Sequence, residues 1–238
     1  GASSGSWAAA CGVFASAGFG TVGEVFEMFF VTAAKIVDLF PCGLLFVGCP
    51  VVKELVAWAL RTAQGQCESA FNAVTRDGRL AIWLFGFSIR CQAYRIVVRR
   101  GEDFKNPDSC GALIAATSVF PYFTAPRLCS SLHCMQAAMD GYFPGRGVPL
   151  LPVPDMTLSC GGKAIVLDIS GSLKALYADE ERVHVLDLVG WGNFTAADWV
   201  TSSPEGMRAL FWRGQKDAAD HVREIDHAMW QAFGCKPL

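Results

Sequence analysis

A chain of 238 residues, 52% apolar and 18% charged, is long enough to enclose one large α/β core or two small ones. Its formal charge of -2 gives no electrostatic case for nucleic-acid binding. The ten cysteines form no C-x-x-C pair and no zinc-like spacing, so free, buried, reduced thiols and an intracellular setting are expected rather than a secreted disulfide framework.

In chain order, residues 1–23 and 109–126 carry no charge, and the run 39–60 is strongly apolar. Glycines, serines and prolines dilute the first two, and Pro41, Pro50, Lys53 and Glu54 interrupt the third, so buried helices are expected there rather than membrane spans. Residues 4–16 present a small, Ala-rich face and predict a helix; residues 22–38 predict a second, with Glu24, Glu27, Lys35 and Asp38 as its polar positions. A third helix is expected over 50–63, with Pro50 in its first turn. Residues 79–87 and 92–99 are apolar or β-branched enough for strands joined by a short connection. The basic cluster Arg95, Arg99 and Arg100, followed by Glu102 and Asp103, reads as a solvated strand end. Asp108 or Ser109 would cap a helix over 110–118, which Pro121 would end. The run 163–169, between Gly162 and Gly171, predicts a buried strand, and 204–232 a closing helix. The sequence shows no repeat, low-complexity segment or domain linker, so 1–238 is expected to form a single domain.

The opening pentapeptide Gly1-Ala2-Ser3-Ser4-Gly5 is a G-x-S-x-G motif, the pattern of a nucleophile on a tight strand-to-helix turn. There Ser3 would project its hydroxyl above a sheet, and the following helix would aim its positive end at a developing oxyanion. A plain helix N-cap, with Ser3 or Ser4 bonding a backbone N–H, is the competing reading. An elbow needs a strand before it and none precedes Gly1, so a fragment lacking its N-terminal strand is expected. Asp140, taken alone, reads as a turn aspartate before Gly141.

Further residues extend the pattern. Residues 108–123 read Asp-Ser-Cys-Gly-Ala-Leu-Ile-Ala-Ala-Thr-Ser-Val-Phe-Pro-Tyr-Phe; Met139-Asp140-Gly141-Tyr142-Phe143 and Gly147-Val148-Pro149 follow. In this order the motifs resemble the patatin-like phospholipase family, which carries GxSxG, a helix ending in Ala-Ser-x-x-(I/V/F)-P-x-F, an Asp-Gly-Gly turn and Asn-x-Pro. The segment 24–63 and the stretch Phe211–Ala218 are similar to the adiponutrin and adipose triglyceride lipase branch. The resemblance implies a three-layer α/β/α domain with a mainly parallel central sheet, here lacking its first strand and glycine-rich loop. It implies a Ser–Asp dyad without histidine, in which Ser3 is the nucleophile and Asp140 the general base, with Gly1, Gly5 and Gly141 shaping the turns. No metal or organic cofactor is implied. The implied substrate is a glycerolipid or phospholipid ester met at a membrane or lipid-droplet surface, with the protein cytoplasmic or peripherally attached. The sequence departs from the family at Tyr142, where the second glycine of Asp-Gly-Gly stands, and at Gly147, where the asparagine stands.

Two alternatives remain. One is a catalytically impaired lipid-binding or scaffold domain of the same fold. The other is a conventional hydrolase triad in the order Ser3, Asp168 or Asp187, then His221 or His227. The remaining histidines are His133 and His184, and the charged run Asp217–His227 reads as an exposed helix face. Ser159-Cys160-Gly161-Gly162 reads as a turn into the strand 163–169, with a glycine-rich anion cradle as its alternative.

Overall fold

The computed structural model describes residues 4–38, 48–88, 93–117, 127–129, 136–140, 162–168, 171, 173–192 and 203–234. The chain divides into two units, one of Gly1–Leu151 with Ser202–Met207 and the other of Pro152–Thr201 with Arg208–Leu238.

The first unit begins with helix α1, Ser4–Ser16, on the small-residue run. Ser6, Ala10 and Phe14, spaced four apart, form its fully buried stripe. The helix ends at Gly18, whose φ of 85° suits glycine. Gly18 N–H donates to the Ala15 carbonyl at 3.0 Å and Phe19 N–H to the Phe14 carbonyl at 3.1 Å, the paired bonds of a Schellman cap. The Phe14 and Phe19 rings meet edge-on, 5.2 Å apart, completing that cap's apolar contact.

The second predicted helix forms in three pieces: α2, Val22–Phe26, a π turn over Glu27–Val31, and α3, Thr32–Asp38. Thr21 starts it with a capping box. Its hydroxyl accepts from Glu24 N–H at 3.2 Å, and its own N–H donates to the Glu24 carboxylate at 2.8 Å. The wide turn is braced by Thr32, whose hydroxyl donates to the Glu27 carbonyl at 3.1 Å. Around it Phe26 stacks on Phe30, Trp7 tilts against Phe30, and Phe29 meets Phe14 edge-on.

Helix α4, Gly48–Gln66, is followed by α5, Glu68–Thr75. Helix α6, Pro107–Thr117, is capped by Asn106, not by Asp108 or Ser109 as expected. The Asn106 side-chain oxygen accepts from Asp108 N–H at 2.9 Å and Ser109 N–H at 3.2 Å, with Pro107 in the first helical position. Asp108 instead faces α4, where Arg61 donates to its carboxylate at 2.7 Å.

The expected strands appear as β1, Ala81–Ser88, and β2, Ala93–Arg100. With β3, Arg127–Cys129, and β4, Gln136–Asp140, they form a sheet in the order β2-β1-β4-β3. All its pairings are antiparallel, where a mainly parallel central sheet was expected. For β1 and β2 the reason is the connection: only residues 89–92 separate them, and a parallel crossover needs about a dozen or more. The core of this unit joins Phe14, Phe29, Leu60, Ile82, Leu84, Phe104, Leu113 and Ile114, drawn from α1, the π turn, α4, β1 and α6 with the turn Gly101–Phe104.

In the second unit β5, Ala164–Asp168, pairs in parallel with β6, Val183–Asp187, through helix α7, Leu173–Leu176. Helix α8, Pro204–Asp220, of which Arg208 onward belongs to this unit, and helix α9, Val222–Phe233, replace the single closing helix expected; the break falls at His221, with φ -109° and ψ 20°. Ala228 and Ala232 of α9 are buried, and this helix lies along β5 and β6. The described residues therefore make a helix-rich α/β chain. Among them, no helix is long and apolar enough to cross a membrane.

Candidate functional site

Of the elbow, Gly1 and Ser3 lie outside the described residues, as does Gly141. Ser4 is the first residue of α1, so Ser3 immediately precedes a helix of 13 residues. Gly5 is exposed in the first turn, and a Cβ placed on it would meet nothing within 4 Å. Packing among the described residues therefore does not itself demand glycine at this position.

Asp140 is the last residue of β4, opposite Leu84 of β1. Helix α6 lies against both β4 and α1, so the strand that ends in Asp140 and the helix that follows Ser3 share one neighbour within the first unit.

The residues of the alternative triad are otherwise employed. Asp168 is fully buried at the end of β5, and its two carboxylate oxygens accept from Gly171 N–H at 3.0 Å and Leu173 N–H at 2.8 Å. Such bonds organise the turn into α7. Asp187, its register partner on β6, accepts from Val189 N–H at 2.9 Å. His221 Nδ1 donates to the Asp217 backbone carbonyl at 2.8 Å, and its ring stacks on Trp191 at 4.2 Å and 12°. His227 tilts against Trp230, 6.3 Å away. Neither histidine has a carboxylate on its ring nitrogens among the described residues, whereas a triad histidine needs one to hold its tautomer. His221 is half-buried rather than on the exposed face expected for 217–227.

Cys11, Cys67 and Cys110 are free. Burial pushes the Cys11 thiol up to about 11 and the Cys110 thiol to about 12, so neither is a thiolate nucleophile at neutral pH. The Cys11 thiol lies 3.8 Å from the Val22 carbonyl, and Cys110 is enclosed in the core. Cys160 and its neighbours Ser159 and Gly161 lie outside the described residues.

An open, mainly apolar groove of about 510 Å³ runs between α3 and α4, lined by Ile36, Val51, Leu55 and the half-exposed Trp58, with Glu54 and Arg61 contributing charge. The Arg61–Asp108 ion pair occupies its Arg61 side.

Sequence reasoning passed over Trp191 and Gly192, and took Asp217 only as the start of an exposed charged run; all three shape the second unit. A Cβ on Gly192 would stand 2.3 Å from a carboxylate oxygen of Asp217, so the loop after β6 presses directly on α8. The G-W-G run at 190–192 was the available signal. No protein-family model matches the chain, and no curated protein does.

Proposed function

We propose that the chain is a serine acyl hydrolase of the patatin-like kind, cleaving glycerolipid or phospholipid esters at a lipid surface. Ser3 Oγ attacks the acyl carbonyl as Asp140 takes its proton. The tetrahedral intermediate expels the alcohol, which leaves with that proton, and an acyl-Ser3 ester remains. Water then attacks the ester with Asp140 again as base, releasing the fatty acid and restoring the serine. A carboxylate serves this role best when partly desolvated, because loss of water raises its proton affinity.

The observation that carries the reading is the order of motifs, GxSxG, Phe-Pro, Asp-Gly, together with a helix that starts at Ser4 immediately after Ser3. The apolar groove on α3 and α4 supplies surface on which hydrocarbon would lie. The three-layer arrangement with a mainly parallel sheet belongs to this proposal. The parallel pair β5–β6 supports it and the antiparallel sheet β2-β1-β4-β3 stands against it.

The test is fluorophosphonate labelling and ester hydrolysis by the full-length protein. Labelling should vanish in Ser3→Ala and hydrolysis fall about 10²–10⁴-fold in Asp140→Asn, the usual contribution of a general base. Both should survive His221→Ala and His227→Ala; dependence on either histidine would overturn the dyad. A second reading, a non-catalytic lipid-binding domain, is favoured by Tyr142 at the glycine position of the Asp-Gly-Gly turn. On that reading the wild type shows no labelling, yet binds phospholipid vesicles as well as Ser3→Ala does.

A further inference from the structure

No further inference is drawn: the strongest candidate, the open apolar groove between α3 and α4 lined by Ile36, Val51, Leu55 and Trp58, carries nothing beyond the reading above, because its rim charges Glu54 and Arg61 are already paired with Lys53 and Asp108 and nothing in the structure shows what covers it.

Discussion

Gly111 of α6 and Lys53 of α4 are in backbone contact. A Cβ added at Gly111 would lie 2.2 Å from the Lys53 carbonyl oxygen and 3.2 Å from the Ala57 nitrogen. The obstacle is main chain, which cannot swing aside as a side chain would. Ala57, Leu60 and Ile114 are fully buried on these two helices. Gly111→Ala should therefore cost about 1–3 kcal/mol, the usual penalty for overpacking. Urea denaturation measures it, and an unchanged midpoint would mean that the helices cross less closely.

Two glycines of the same helix should respond with opposite signs. Gly18 holds a left-handed conformation at the cap of α1, so Gly18→Ala should destabilise by about 1–2 kcal/mol. Gly12 lies mid-helix with open space around its Cβ position, so Gly12→Ala should stabilise by roughly 0.5–1 kcal/mol. Thermal melts of the two variants beside the wild type give both signs at once.

Stability on the acid side should depend on Glu24. The Thr21 backbone N–H, and then its hydroxyl, hold the Glu24 carboxyl below the ordinary carboxylate value. A depressed folded-state value means that the native state binds the proton more weakly than the unfolded chain does. The contribution is therefore present above the unfolded-state value and is lost as pH falls through the folded one. Glu24→Gln should flatten this part of the acid limb of a denaturation-midpoint-versus-pH curve, and Thr21→Ala, which removes the hydroxyl but keeps the backbone N–H, should flatten it only in part. A wild-type slope in both variants would show that the capping box carries no charge-dependent stability.

Burial of Cys110 predicts the reverse slope at high pH. Its thiol moves from an ordinary 9.0 to about 12 in the fold, so the unfolded chain releases that proton first. The stability is fully present below 9.0 and is lost as pH rises toward about 12. Cys110→Ala should lessen this alkaline loss. At pH 8 in the native state, iodoacetamide should leave Cys110 and Cys11 unmodified in a mass-spectrometric map. Rapid alkylation of either would show that the α1–α6 core opens readily.

Local signals in the sequence identified the elements they could describe. The Ala-rich run at 4–16 became Ser4–Ser16, because small residues with a stripe at every fourth position need no distant partner to favour a helix. The β-branched and aromatic runs at 79–87 and 92–99 became β1 and β2. The Thr21-x-x-Glu24 box and the Asn106-Pro107 start were equally local and could have been read. Of the candidate site, the sequence supplied residue types and order: Ser3 before a helix, and Asp140 at the end of what proved to be a strand.

Tertiary structure decided what depends on residues far apart in the chain. Periodicity carries no information on which strand lies beside which, so β4 beside β1, with Asp140 opposite Leu84, emerged only from the assembled sheet. The break at His221 could not be read from an uninterrupted helical pattern, because it accompanies an indole delivered from the loop after β6. The buried role of Asp168 was hidden for a similar reason: a carboxylate that organises a turn looks, in one dimension, like one waiting for a histidine. Composition and spacing express what a segment prefers by itself; backbone contacts such as Gly111 on Lys53 exist only once two segments have been brought together.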